Sequence, residues 1–262
     1  MVFDLELARK ALAEGRGAGV KIAVIDSGIE IDHPELSGIT LRDDLKVLDT
    51  GAMLEVQPGE GVDVFGHGTA VAGVLRRIAP EAEIGSFRVL GKNLGSRTVI
   101  IREGVRQAID HGYNILNCSF GCGLQEHIFQ YKEWIDEAYL KGIHVVSACN
   151  NYDFTTPEWP GYFPSVVTVN MARLDEEQSF FYKPGRLVEF AAQGVEVKLP
   201  WNNHSTKEVT GSSFAAPIIS ALLARLLSFM PDLAPLEAKS ILHRLATPWN
   251  EDLTAPNIAT AH

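Results

Sequence analysis

Five short runs of β-branched and apolar residues punctuate this chain: VKIAVID at 20–26, IGSFRVL at 84–90, YNILNCSF at 113–120, IHVVSAC at 143–149 and SVVTVN at 165–170. They are too continuously apolar for strands with one wet face. Such strands belong in a sheet covered on both sides, which in practice is a parallel sheet. Parallel neighbours need crossovers long enough to hold a helix. The intervening sequence supplies helical segments at 68–77, 98–111, 127–141, 213–229 and 234–245. The chain therefore reads as α/β, with three α/β/α layers around a mostly parallel central sheet. Its 262 residues are enough for one such domain and too few for two. No repeat, low-complexity tract or linker divides it. The domain is expected over 1–246, with 247–262 as a C-terminal tail that packs weakly.

Charge and cysteine content narrow the function classes. With 33 acidic against 23 basic residues, the net charge of −10 argues against nucleic acid or anionic lipid as a partner. No apolar run approaches the roughly 20 residues of a membrane helix, so no membrane partner is expected. The opening segment MVFDLELARKALAEGRGAG carries Asp4 and Glu6 where a signal peptide has a basic region, and reads as a short amphipathic helix. Cys118, Cys122 and Cys149 are three thiols without an export signal, which suggests reduced cysteines and a cytoplasmic location. Zinc is the sharper alternative for Cys118 and Cys122, but Cys118 falls in a strand-like run, so buried structural thiols are expected.

Three segments carry chemistry. Asp26 ends the first apolar run, in VIDSGIEIDHPEL; His67 opens a small-residue helix, in FGHGTAVAGVL; Ser213 opens a long apolar helix, in TGSSFAAPIISALLARLL. A carboxylate at the end of a buried strand can orient an imidazole and stabilise its protonated form. Flanking glycines, Gly66 and Gly68, let backbone approach the histidine closely. A serine at a helix N-terminus sits beside free N–H groups suited to a developing oxyanion. Pro217 is expected in the first turn of its helix, where an N–H has no intrahelical partner. Singly, these residues read as a turn aspartate, a loop histidine and a helix-capping serine. Together, in this order and on these elements, they read as a catalytic constellation.

The three segments resemble the signatures of the subtilisin family (subtilases): Asp-Ser/Thr-Gly after a strand, His-Gly-Thr-x-Val-Ala-Gly opening one helix and Gly-Ser/Thr-Ser-x-Ala-x-Pro opening another, in the family's order. The resemblance runs from about residue 19 to about 245. It implies a subtilisin-like fold and a serine endopeptidase with Asp26, His67 and Ser213 as its triad. It also implies an oxyanion-hole asparagine in HVVSACNN. Register favours Asn150, with Cys149 where glycine is usual, and Asn151 competes. The substrate would lie between the segment holding Gly95 and Ser96 and the segment holding Ser119, Phe120 and Gly121, pairing with both by strand addition. Glu158 falls near the floor of the pocket for the P1 side chain, the residue before the scissile bond. It either favours Lys or Arg there or points to solvent from its loop, and Asp153 in the same loop is the alternative acid.

Departures from the family pattern carry expectations of their own. In many secreted members a calcium loop interrupts the helix that begins at His67. Here the sequence runs straight through, so that site is expected to be missing, with no metal and no cofactor. No propeptide is identifiable ahead of the resemblance. The partner class is a peptide or protein substrate, in general turnover or in processing of one precursor. Two other outcomes share these residues: a transpeptidase or macrocyclase that resolves the acyl-enzyme with an amine, and a non-catalytic peptide-binding pseudoprotease.

Overall fold

A computed structural model describes residues 4–151 and 155–249. In chain order it contains α1 (Leu5–Glu14), β1 (Lys21–Asp26), β2 (Asp44–Asp49), β3 (Leu54–Pro58), α2 (His67–Ile78), β4 (Glu83–Arg88), α3 (Thr98–Asp110), β5 (Ile115–Cys118), α4 (Ile128–Leu140), β6 (His144–Ala148) and β7 (Val167–Ala172). There follow β8 (Phe180–Tyr182), β9 (Phe190–Gln193), β10 (Val197–Trp201), β11 (Ser205–Val209), α5 (Ser212–Phe229), α6 (Pro235–Leu245) and β12 (Thr247–Pro248).

Ten strands form one sheet in the order β12-β8-β9-β7-β6-β5-β1-β4-β2-β3. Its centre is parallel throughout: β1 pairs with both β4 and β5, and the ladder continues to β6, β7 and β9. Antiparallel pairing is confined to β2 with β3 and β8 with β9. The second sheet is the hairpin β10-β11. The apolar runs found in the sequence are the parallel strands, and β5, β6 and β7 are buried along their whole length.

Two apolar cores flank the sheet, which is what makes the fold three-layered. One joins α1, α2, α5 and α6 to one face; the other joins α3 and α4 to the opposite face. Helix α5 has the length and apolarity of a membrane span but is 83% buried inside the domain. Its one charged residue, Arg225, donates to the carbonyls of Ile78 at 2.7 Å and Leu12 at 2.6 Å and to Gln178 at 2.8 Å. Those acceptors satisfy a guanidinium that burial would otherwise penalise, and they tie the ends of α1 and α2 to α5.

Thr247 to Trp249, read from sequence as the start of a weakly packed tail, do pack: β12 pairs with β8, and the Trp249 ring meets Phe181 edge-on. The remainder of that segment, 250–262, lies outside the described residues, as does Asp153.

The chain leaves β1 toward β4 on one side and returns through β5 on the other, so the direction of winding reverses at β1. In open α/β sheets the crevice at such a reversal, beyond the carboxyl ends of the strands, is where ligands bind. Asp26 is the last residue of β1.

Candidate active site

Asp26 is fully buried at this reversal, and both its carboxylate oxygens face the Nδ1 of His67, at 2.8 and 2.9 Å. One of them also accepts the Ser27 N–H at 2.7 Å. His67 is the first residue of α2 and only 5% exposed. Burial pushes the imidazole pKa down. The charge and hydrogen bond of Asp26, helped by the charge of Asp63, outweigh that and hold it above the ordinary histidine value. The two glycines have identifiable jobs. Gly66 takes a left-handed φ of 113° beneath the Trp201 indole, and a Cβ on Gly68 would collide with the Gly28 carbonyl.

Ser213 is the second residue of α5 and half-buried. The Phe214 ring beside it stands 5.1 Å from the His67 ring, so the start of α5 packs on the imidazole. The Ser213 hydroxyl donates to the Ser119 carbonyl at 3.2 Å. It makes no hydrogen bond to His67 among the described residues. In unliganded sites catalytic hydrogen bonds are often long and tighten with substrate.

Pro217 corrects the sequence reading: it is the sixth residue of α5, past the first turn. A proline there cannot donate to the carbonyl four residues back, and its ring crowds that carbonyl. The carbonyl is that of Ser213 itself. It accepts instead from the Ser119 hydroxyl at 2.9 Å. Ser119 in turn accepts from Asn117 Nδ2 at 3.0 Å, and Asn117 Oδ1 accepts from Ser220 at 2.8 Å. The residue expected to line the substrate site thus uses its side chain to hold the backbone of Ser213.

The segment after β6 closes the third side. Ser212 Oγ donates to the Cys149 carbonyl at 2.5 Å. Asn151 Oδ1 accepts the Ser212 N–H at 2.9 Å, capping α5 from a distant part of the chain, and lies 3.0 Å from the Ser212 hydroxyl oxygen. Asn150 is buried, and its amide donates to the Thr156 carbonyl at 3.0 Å. The two asparagines bond differently: Asn151 Oδ1 accepts from the start of α5, and Asn150 Nδ2 donates to the Thr156 carbonyl.

A cleft of about 510 Å³ runs beside these groups, with Gly95 and Ser96 on one side and Phe120 and Gly121 on the other. The segment 91–98, whose resemblance implies an edge strand beside the substrate, is instead a turn closed by Gly91 N–H to the Gly95 carbonyl at 3.0 Å, with Thr98 opening α3. Ser96 spends its hydroxyl on the Val89 carbonyl. Cys122, which lines the cleft, and Trp159 exchange backbone hydrogen bonds at 2.9 and 3.0 Å. This holds the Glu158 carboxylate against Gly121, where a Cβ would collide with it. Trp159–Pro160 is a cis peptide.

One metal-like group occurs among the described residues, Glu30, Asp32 and His204, at the surface. Glu30 already accepts the backbone N–H groups of Asn203 and His204, which gives it a structural role. Helix α2 runs from His67 to Ile78 without interruption. Of the three cysteines, Cys118 and Cys149 are buried and Cys122 half-buried. Sequence reasoning missed Asp63, Asn117 and the capping role of Asn151. Asp63 alone left a legible signal, an aspartate just ahead of a helix start.

Comparison with known proteins agrees with this architecture. The family model described as "Subtilase family" matches residues 17–259. Subtilisin DY of Bacillus licheniformis is 28% identical, over 92% of this chain and 88% of its own. An intracellular serine protease of Paenibacillus polymyxa is 30% identical, over 80% of this chain and 67% of its own. In fold, the chain resembles a cold-adapted subtilisin-like serine proteinase with a TM-score of 0.70 at 24% identity, covering 88% of this chain and 83% of that one. With a family match over nearly its whole length, on a parallel α/β/α sheet, the chain belongs to the subtilase family and is a serine endopeptidase.

Proposed function

We propose that Asp26, His67 and Ser213 are the catalytic triad, and that the chain hydrolyses peptide bonds through an acyl-enzyme. For attack, the Ser213 hydroxyl exchanges its Ser119 acceptor for the unbonded face of His67, Nε2. The hydroxyl proton passes to His67 as Oγ bonds to the scissile carbonyl carbon. Asp26 keeps Nδ1 protonated and aimed, and its negative charge stabilises the imidazolium that forms. The carbonyl oxygen becomes an oxyanion received by the Ser213 N–H and the Asn150 amide. Imidazolium then protonates the leaving amine, and water repeats the sequence to release the acid. The observation that carries this reading is the contact of a buried carboxylate with Nδ1 of an imidazole packed against the start of α5.

The substrate is a peptide in extended form between Gly95–Ser96 and Ser119–Gly121. Glu158, whose carboxylate lies against Gly121 and which lines a small pocket with Cys149, Asn150 and Gly161, favours Lys or Arg at P1 by charge-assisted hydrogen bonding. Two similar proteins, from Paenibacillus polymyxa and Bacillus subtilis, are named as intracellular serine proteases. These names support cytoplasmic action on a cellular peptide or precursor. The test is kcat on a peptide substrate. Ser213→Ala and His67→Ala are each expected to remove nearly all turnover, and the double variant to be little worse than either. Turnover in Ser213→Ala near the wild-type rate would refute the reading.

A further inference from the structure

Asp63 is 7% exposed and forms no salt bridge with a described residue, yet five hydrogen bonds converge on its carboxylate. Oδ1 accepts from Ser27 Oγ at 2.8 Å, Phe65 N–H at 2.9 Å and Gly66 N–H at 2.7 Å. Oδ2 accepts from the N–H and hydroxyl of Thr69 at 2.8 and 2.7 Å. These donors belong to the two pieces that must meet for Asp26 to reach His67. Ser27 follows Asp26 at the end of β1, and Gly66 and Thr69 flank His67 at the start of α2. Ser27 closes the loop by accepting the Gly68 N–H at 3.1 Å.

Every donor is neutral. The charge of Asp63 is therefore balanced only by the N-terminal end of α2 and, when it forms, by the imidazolium on that same end. We propose that Asp63 is a positioning residue, which fixes His67 against Asp26 and serves as a second anionic partner of the imidazolium formed during catalysis. This rests on the triad reading above. The chemistry is one of placement: with both carboxylate oxygens filled by donors from β1 and α2, the Asp26–His67 pair cannot part without breaking buried hydrogen bonds. A misplacement of about 1 Å in such a pair is enough to lower the rate on the order of 10²-fold.

The charged and titratable groups around His67 are few. Asp26 comes from β1, with the buried, neutral Cys118 behind it on β5, and Asp63 comes from the loop before α2. Helix α5 contributes Phe214, and the β10-β11 hairpin contributes Trp201 with Lys207 over its ring. Asp63 is therefore the second anion acting on His67.

The experiment compares wild type, Asp63→Asn, Ser27→Ala and His67→Ala by pH-dependent kinetics, with active sites counted by a fluorophosphonate. Asp63→Asn is expected to lower kcat per active site by about 10–100-fold with KM within about twofold. It should also move the acidic limb of kcat/KM to lower pH, because one anion that favours the imidazolium is gone. Ser27→Ala keeps the charge but cuts the Asp63–Ser27–Gly68 link. It is expected to lower kcat several-fold with the limb in place. A folded Asp63→Asn protein with an unmoved limb overturns the proposal. Should that variant not fold, because its amide meets the Thr69 donors, wild-type kcat in Ser27→Ala overturns it instead. Activity surviving in His67→Ala would refute the triad itself and not Asp63 alone.

Discussion

Replacing Ser119 by alanine tests how the proposed nucleophile, Ser213, is held. The change orphans the part-buried Ser213 carbonyl, bonded at 2.9 Å, and the buried Asn117 Nδ2 donor, bonded at 3.0 Å. An orphaned buried group costs about 1–3 kcal/mol, so the expected destabilisation is about 2–6 kcal/mol, nearer the low end if water enters. Pro217→Ala supplies the missing N–H at the position that can pair with the same carbonyl inside α5. In that background the Ser213 carbonyl no longer depends on Ser119, and Ser119→Ala should do less damage. The assay is a double-mutant cycle by urea unfolding, built on Ser213→Ala to prevent self-digestion. The expected coupling is about 1–2 kcal/mol, with the double variant more stable than the two single changes summed. Additivity within about 0.5 kcal/mol would refute the reasoning, since independent sites add to that accuracy.

Three further outcomes follow from named groups. Wild type should cleave after Arg or Lys faster than after Leu or Phe, and Glu158→Gln should erase that difference in kcat/KM; a Leu or Phe preference in wild type would contradict it. His144 is buried with Nδ1 unpartnered, and burial pulls its pKa down to about 4. The unfolded chain therefore binds a proton that the fold does not as pH drops below about 6.5. From pH 7 to 5, wild type should lose about 2 kcal/mol more stability than His144→Gln, and equal losses would show that His144 is not the cause. Because α2 is uninterrupted, chelator should change the melting temperature by only a few degrees; a fall of about 10 °C or more would reveal a tightly held ion.

The sequence made the parallel sheet legible because its strands are buried on both faces and so read as unbroken apolar runs. Strands without that burden escaped notice. β2 and β3 lie at the sheet edge with mostly partial exposure, and β11, STKEV, is exposed at four of its five positions. A strand that buries little leaves no apolar pattern to read. The site followed the same rule. Asp26, His67 and Ser213 stand at element ends flanked by distinctive small residues. Asn117 and Asn151 act through hydrogen bonds to residues distant in sequence, which no local pattern records, whereas Asp63 bonds mainly to the helix start just after it and so left a local signal. Pro217 was visible but misassigned, because the bond that compensates for its missing N–H, from the Ser119 hydroxyl to the Ser213 carbonyl, joins residues distant in sequence.

The most direct measurement of the central claim is covalent labelling by a fluorophosphonate, with the modified residue identified by mass spectrometry in wild type and in His67→Ala. A nucleophile activated by a buried Asp–His pair should take one label per chain, on Ser213, with its neighbour Ser212 unlabelled because its hydroxyl is committed to the Cys149 carbonyl. The label should be lost in His67→Ala. Labelling of Ser212, or of Ser213 at the same rate without His67, would contradict the account.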